Sequence, residues 1–310
     1  MSSLLTRRVV FVTGKGGVGK TTVCAALARR VAARGKRVLV AETSGAARLP
    51  VLFGVEGRGY DPTDLGGGAY SITITPERAL EDYVVQQIKV RALFKAVFQN
   101  RVMEPFVDGV PGLHDALQLG KVFDLERARA HGRPAWDLIL VDAPATGHGL
   151  TMWGAARSLM DLTRAGPLFD GVADVARLFE DAARTALLLV TLPEELPLNE
   201  TVELYSRLGA AGPAQVAGVV LNEVHGPVGP PGGDWPAARA AYAADAAWAP
   251  WAPLLDAAWA RAAAESRARA ALDAALPVPR AELPLRARRA LGPAEIDAFG
   301  PALDRLLGAP

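Results

Sequence analysis

The chain has 310 residues but little cysteine, methionine or aromatic content. Its single cysteine, Cys24, excludes an intramolecular disulfide and a metal cage of several cysteines within one chain. This cysteine usage is compatible with a reducing cytoplasm, where we expect the protein to reside. The chain also lacks an excess of charge of one sign, since 34 Lys and Arg oppose 33 Asp and Glu. A net charge of +1 provides no global field that would attract nucleic acid, so we expect no nucleic-acid partner.

Long apolar runs are also missing. No run approaches the roughly 20 residues that a membrane-spanning helix needs. Near the start, Arg7 and Arg8 precede a short apolar run that leads into a glycine-rich loop rather than a cleavage site. We therefore interpret this run as a strand and expect no stable membrane insertion.

Short apolar strands separated by helical stretches dominate the chain. This alternation predicts right-handed βαβ crossovers and an α/β fold with a doubly wound, mostly parallel sheet flanked by helices. The predicted strands are Val9–Thr13, Arg37–Ala41, Tyr70–Thr75, Leu138–Val141, Leu187–Thr191 and Val216–Leu221. Leu276–Leu285 is either a last strand or a loop on the nucleotide side.

We interpret residues 1–310 as one domain with an inserted helical subdomain. Two stretches without predicted strands, about residues 76–130 and 150–183, would form that subdomain. Residues 225–236 contain four prolines and four glycines, which is typical of a flexible loop. Helices are also predicted over Ala237–Ala274 and Pro293–Leu307.

The segment Gly14–Thr21, G-K-G-G-V-G-K-T, fits the phosphate-binding pattern G-x-x-x-x-G-K-[ST]. It follows a predicted strand and opens a predicted helix, as a phosphate loop requires. Glycines let backbone N–H groups turn toward phosphate oxygens, and the helix start adds partial positive charge. The predicted nucleotide-binding residues are Gly14, Gly16, Gly17, Val18, Gly19, Lys20, Thr21 and Thr22. ATP is the expected nucleotide and Mg²⁺ the expected metal, with Lys20 on the β- and γ-phosphates and Thr21 on Mg²⁺.

Lys15 is a second lysine within this loop. One interpretation is that it neutralises phosphate charge, in its own site or across a dimer interface. The other is a solvated surface lysine, and the sequence leaves the two equal.

A second phosphate-side motif follows the strand Leu138–Val141. Asp142 ends this strand, where P-loop NTPases commonly place an aspartate that holds the water shell of Mg²⁺. The glycine-rich segment after it contains Thr146, Gly147 and His148 and is a candidate γ-phosphate sensor. For His148 a purely structural role in the loop is equally plausible.

The paired lysines Lys15 and Lys20 resemble the deviant Walker A loop, K-G-G-x-G-K-[ST]. That loop marks the ATPases that include MinD, ParA, the nitrogenase iron protein and the arsenite-pump ATPases. The segment Asp142–His148 resembles switch II of the ArsA and guided-entry (tail-anchored protein targeting) branch. Ser71–Ala79 and Leu192–Thr201 are also similar to segments of this branch. The resemblance covers about Val9–Glu223 and weakens in the last third.

The resemblance implies a dimer that encloses two ATP molecules. Lys15 would then reach the phosphates of the opposite subunit and stabilise transition-state charge there, making it catalytic together with Lys20. The resemblance further implies that Asn222 contacts adenine. One chain carries one ATPase unit, so the second would come from a homodimer or from a heterodimer with a paralogous ATPase.

The chain departs from the family pattern at switch I. Ser44 occupies the position of the aspartate that orients the attacking water, and a serine cannot act as a carboxylate base. Glu42 would substitute only in a shifted register, with its side chain starting on the wrong face of the strand. The zinc-binding Cys-x-x-Cys and the arsenite-binding cysteines are absent too. The serine at position 44 bears on ATP hydrolysis and not on ATP binding, so the sequence predicts binding more firmly than hydrolysis.

Three functions follow from these observations. The leading one is a dimeric ArsA/guided-entry-like ATPase that couples nucleotide-dependent closure to a partner surface on the helical subdomain. The alternatives are a hydrolysis-poor subunit paired with a catalytic paralogue and a MinD/ParA-like positioning ATPase. A hydrophobic protein client would need an apolar groove, for which two helical stripes are candidates, although core packing gives the same pattern. These stripes are Leu93, Phe94, Val97, Phe98 and Val102, and Leu168, Val172, Val175, Phe179 and Ala182.

Overall fold

The structure is a computed structural model that describes residues 3–88, 112–144, 167–211, 216–226, 235–286 and 291–308. Its main feature is an eight-stranded sheet. The main-sheet strands are β1 (Val9–Thr13), β2 (Val38–Glu42), β3 (Thr63–Gly66), β4 (Ala69–Thr73), β7 (Leu138–Asp142), β8 (Thr185–Thr191), β9 (Val216–Val224) and β10 (Arg280–Pro284). Strands β5 (Arg129–Ala130) and β6 (Arg133–Pro134) form a separate small hairpin.

Helices connect most of these strands. They are α1 (Lys20–Ala32), α2 (Arg48–Phe53), α3 (Pro76–Ile88), α4 (Leu113–Arg127), α5 (Pro167–Glu180), α6 (Glu195–Ala211), α7 (Trp235–Ala244), α8 (Ala252–Ala275), α9 (Pro293–Asp297) and α10 (Gly300–Leu307). Short 3₁₀ turns span Leu4–Thr6 and Ala249–Trp251.

The sheet order is β10-β9-β8-β1-β7-β2-β4-β3, and every pairing is parallel except that of β3 with β4. Strands β1, β2, β7 and β8 are buried along their whole length, because helices cover both faces of the sheet. One core lies between the sheet and α1 with α9 and α10, and the other between the sheet and α4, α5 and α6. The predicted α/β fold class is confirmed.

Several details differ from the sequence-based expectation. Strand β3 was not predicted: its short sequence T-D-L-G alternates between buried and exposed and pairs antiparallel at the sheet edge. The expected helix Ala237–Ala274 is divided by the Ala249–Trp251 turn, where Pro250 cannot continue a helical hydrogen-bond ladder. The expected helix Pro293–Leu307 is likewise two helices. Leu276–Leu285 does contain a strand, β10.

The apolar stripes resolve only in part. Val175 and Phe179 are buried in the core, and Phe179 packs edge-on against Phe11 with ring centroids 5.1 Å apart, so this half of the stripe is core packing. The other stripe, at residues 93–102, and the side chain of Leu168 lie outside the described part of the chain, as does most of the predicted loop 225–236. The apolar side chains of α10 are buried as well. No helix in the described ranges is long and apolar enough to span a membrane.

Candidate nucleotide-binding site

The glycine-rich segment lies at the carboxyl edge of the sheet, between β1 and α1. Gly17 and Gly19 have φ angles of 87° and 88°, in the left-handed region that side chains other than glycine rarely adopt. Gly19 is also the N-cap of α1, so the loop delivers the chain directly into the helix. The structure therefore gives the predicted phosphate loop the strand–loop–helix setting that anion binding requires.

Asn222, near the end of β9, supports this loop from behind. Its side-chain amide is buried and donates a 2.9 Å hydrogen bond to the backbone carbonyl of Val18. A side chain at Gly19 would collide with that amide, so the close approach itself requires glycine. The contact of Asn222 with adenine stays a prediction, whereas its support of the loop is an added role.

Lys20 is folded back across the loop. Its ammonium group donates hydrogen bonds to the carbonyl oxygens of Gly14, at 2.9 Å, and Lys15, at 3.0 Å. Burial lowers the pKa of Lys20, and the charge of Asp142 opposes that fall. The cation is thus held at the centre of the loop, where a phosphate would meet it.

Thr21 and Asp142 meet at the first turn of α1. The Thr21 hydroxyl donates a 2.6 Å hydrogen bond to Oδ2 of Asp142, which is buried at the end of β7. Its other oxygen, Oδ1, is buried without a hydrogen-bond partner among the described residues. Burial raises the pKa of Asp142, against the Thr21 hydrogen bond and the charge of Lys20. A hydroxyl beside an unpartnered carboxylate oxygen suits the all-oxygen coordination of Mg²⁺, so the residues present fit this ion.

Glu42 is the register partner of Asp142 on the adjacent strand β2. Its side chain is directed to the start of α2: Oε1 accepts hydrogen bonds from the backbone N–H groups of Arg48, at 2.7 Å, and Leu49, at 3.0 Å. These are the first residues of α2, so the carboxylate satisfies donors that a helix start leaves unpaired. Burial raises the pKa of Glu42 to about 7.

An open cavity of about 860 Å³ extends from the phosphate loop to the segment after β2. Ser44 and its neighbours Thr43 and Gly45 line the cavity opposite Lys20 and Thr21, and Ser44 is exposed to it. The switch I serine therefore lies in the site, at the place where the resemblance implied a carboxylate.

Gln118 and Arg48 are among the cavity residues that were not singled out from the sequence. Gln118, buried in α4, donates from Nε2 to the carbonyl oxygens of Thr43, at 2.9 Å, and Ile74, at 3.0 Å. Arg48 lines the cavity from the start of α2. The sequence contains an indication for each residue. Gln118 is a polar residue between the apolar Leu117 and Leu119, and Arg48 is the first basic residue after Ser44.

Lys15 forms a 2.8 Å ion pair with Glu200 of α6 in the same chain. Both side chains are about one-third exposed, so the pair is accessible at the surface beside the loop. The role of Lys15 toward a second subunit remains a prediction. Three of the predicted switch II residues, Thr146, Gly147 and His148, lie outside the described residues, whereas Asp142 lies within them.

Cys24 is fully buried in α1 and packs in the core. The described residues include no group of three or more His, Cys, Asp and Glu side chains arranged to hold a metal.

A comparison with known families matches the part of the chain that contains this cavity. The sequence profile of the anion-transporting ATPase family, ArsA, matches residues 7–165, just over half of the chain. The chain belongs to the ArsA ATPase family. The matched region contains the phosphate loop, switch I and Asp142.

Individual ArsA relatives align beyond that region. The chain is 33% identical to the ATPase BagA of Mycobacterium tuberculosis over 221 residues, which is 69% of this chain and 64% of BagA. A putative arsenical pump-driving ATPase of Halobacterium salinarum is 29% identical over 71% of this chain and 36% of its own length. A second protein of that description, from Aquifex aeolicus, is 27% identical over 70% and 80%. The chain thus spans less than two thirds of the mycobacterial relative.

Proposed function

We propose that this ArsA-family protein binds Mg²⁺-ATP and works as a dimeric ATPase whose nucleotide state controls a partner surface. One observation carries the nucleotide part: Lys20, Thr21 and Asp142 converge beside a glycine loop on one open cavity. A P-loop lysine, a hydroxyl and a strand-end carboxylate together are the parts that phosphate and Mg²⁺ binding need.

Thr21 and Asp142 would hold Mg²⁺ when nucleotide is bound. The ion neutralises charge on the β- and γ-phosphates, while Lys20 exchanges its two loop carbonyls for phosphate oxygens. The unpartnered oxygen of Asp142 would be available to Mg²⁺. Binding therefore offsets a desolvation cost that the free protein carries.

The partner surface would be reached through α4. The side chain of Gln118 donates hydrogen bonds both to Thr43 in the switch I segment and to Ile74, the residue after β4. If switch I shifted on nucleotide binding, the hydrogen bond from Gln118 to Thr43 would transmit that shift to α4. A hydrophobic protein is the client that the family resemblance implies, and the client surface would lie on the helical subdomain.

A second function is favoured by Ser44. Serine lines the cavity where the resemblance implied a carboxylate, and Glu42 accepts hydrogen bonds at the start of α2 through Oε1. The chain would then be a nucleotide-binding, hydrolysis-poor subunit that pairs with a paralogue carrying the aspartate. Both functions share the same nucleotide site and differ in turnover by the isolated chain.

Steady-state ATP hydrolysis by the purified chain, across a protein-concentration series with Mg²⁺, separates them. Specific activity that rises with concentration supports a catalytic homodimer. Binding without turnover at every concentration supports the paired subunit. If Ser44 is the defect, Ser44→Asp raises kcat by at least about tenfold, since positioned acid–base groups contribute roughly 10²–10⁴. Absence of ATP binding by calorimetry would refute both functions.

A further inference from the structure

Arg48 is a cation in the nucleotide cavity. It is the first residue of α2 and lines the cavity together with Lys20, Thr21 and Ser44. Leu52, four residues later and therefore on the same side of the helix, lines the cavity too. The side of α2 that carries Arg48 is thus a wall of the site.

The backbone at Arg48 is firmly held. Oε1 of Glu42 accepts hydrogen bonds from the N–H groups of Arg48 and Leu49, at 2.7 and 3.0 Å. Glu42 is 1% exposed and Leu49 is fully buried, so the acceptor and the residue after Arg48 are set in the core, whereas Arg48 itself is exposed. A flexible side chain therefore starts from a fixed point, which lowers the entropy cost of binding a ligand there.

The charge of Arg48 acts on the groups of the phosphate site. Burial raises the pKa of Asp142 and of Glu42, and the Arg48 guanidinium is among the groups that oppose both shifts. Burial lowers the pKa of Lys20, and Arg48 adds to that fall. Arg48 is exposed and lines the cavity, and among the described residues its guanidinium forms no salt bridge, so its donors are available to a ligand.

We propose that Arg48 binds the terminal phosphate of the nucleotide from within its own chain, with Glu42 as the positioning residue. This inference rests on the proposed function, because it assigns a contact within the same ATP site. A guanidinium presents paired N–H donors that match phosphate oxygens and stays charged at all physiological pH values. Switch I of this chain thereby contributes positive charge to the terminal phosphate.

The consequence is selectivity for triphosphate over diphosphate. ADP lacks the group that Arg48 contacts, whereas the phosphate loop and Lys20 also hold the β-phosphate. The segment between Glu42 and Arg48, which contains Ser44, would be drawn onto the bound nucleotide. Arg48 would thus link the presence of the terminal phosphate to the position of switch I.

Calorimetry with the non-hydrolysable analogue AMP-PNP and with ADP, both with Mg²⁺, tests this assignment in the full chain. In Arg48→Gln we expect AMP-PNP affinity to fall by roughly tenfold or more, as loss of a hydrogen bond to a charged group implies, and ADP affinity to stay within about twofold. Arg48→Lys should recover part of the loss. Arg58→Gln, which removes an exposed arginine outside the cavity, is the matched control and should change neither affinity.

Glu42 variants test the positioning role. Glu42→Gln keeps a carbonyl oxygen for the two N–H groups and should retain the preference for AMP-PNP, whereas Glu42→Ala should lose most of it. If Arg48→Gln lowers the affinities for AMP-PNP and ADP equally, or lowers neither, the assignment of Arg48 is wrong. The proposal that the wild-type protein binds ATP would still stand. Wild-type protein that binds neither nucleotide would overturn the proposed function as well, so the two failures are distinguishable.

Discussion

Two loops at the carboxyl edge of the sheet differ in how closely they follow the family. The phosphate loop after β1 resembles the family's pattern, and Lys20, Thr21 and Asp142 lie together beside it. The segment after β2, residues 43–48, lines the same cavity. It departs from the family pattern at Ser44, and Arg48 also lines the cavity. Binding depends on backbone shape distributed over many residues, whereas water activation depends on one carboxylate. The resemblance therefore implies that the substitution at Ser44 affects hydrolysis and leaves the phosphate loop unchanged.

The carboxylates of these two regions show the same contrast. Asp142 and Glu42 are register partners on adjacent strands, and both are buried. Asp142 meets the hydroxyl of Thr21 in the phosphate loop, whereas Glu42 meets backbone N–H groups of α2. Asp142 therefore belongs to the candidate nucleotide site, whereas Glu42 stabilises the start of α2. Three predictions bear on this contrast.

The largest effect is expected on the phosphate-loop side. Lys20→Ala removes the partly buried ammonium that would contact the β- and γ-phosphates, so ATP affinity should fall by roughly 100-fold or more. Calorimetry at fixed Mg²⁺ measures the loss. Lys36→Ala, at an exposed lysine after α1, serves as the control and should bind ATP like the wild type. An unchanged affinity in Lys20→Ala would remove the distinction between the two loops.

The second effect concerns Glu42 and pH. Because its pKa is raised from 4.5 to about 7, the folded protein binds a proton more tightly than the unfolded chain does. The free energy of unfolding should therefore fall as pH rises from about 4.5 to about 7, by at most about 3 kcal/mol from this group. Urea denaturation in EDTA without nucleotide measures the slope.

Glu42→Gln provides the comparison for that slope. The amide keeps an oxygen acceptor for α2 but does not titrate, so its stability should change less across the same pH range. Identical pH profiles for the two proteins would show that the carboxyl has the same pKa in the folded and unfolded states, contrary to the effect expected from burial.

The smallest effect separates two glycines of the phosphate loop. Gly17→Ala and Gly19→Ala place a side chain at nearly the same φ, 87° and 88°. A Cβ at Gly17 has nothing within 4 Å, whereas one at Gly19 meets the amide of Asn222. Gly19→Ala should therefore be less stable than Gly17→Ala by roughly 2 kcal/mol, the usual cost of overpacking. Equal denaturation midpoints for the two variants would mean that the Asn222 side chain moves away from the new Cβ without loss of stability.

Much of the fold was predictable from local patterns. Val9–Thr13 and Leu138–Asp142 are short runs rich in β-branched and aliphatic residues, and each is buried in full because central parallel strands face helices on both sides. Strand β3 was missed because its four residues include a glycine and an aspartate, and it exists through its pairing with β4. The split of the terminal helix into α9 and α10 was missed because the apolar side chains keep the spacing of a single helix.

The sequence by itself determined the phosphate loop, the likeness to ArsA ATPases and the substitution at Ser44, because each is a matter of residue type at fixed local spacing. Only the tertiary structure decided which groups meet across the chain. It paired Thr21 with Asp142, 121 residues apart, bound Gln118 to switch I, and turned Glu42 toward α2. It also placed Arg48 in the cavity wall. Such contacts follow from strand register and helix packing over long separations, which no local pattern encodes.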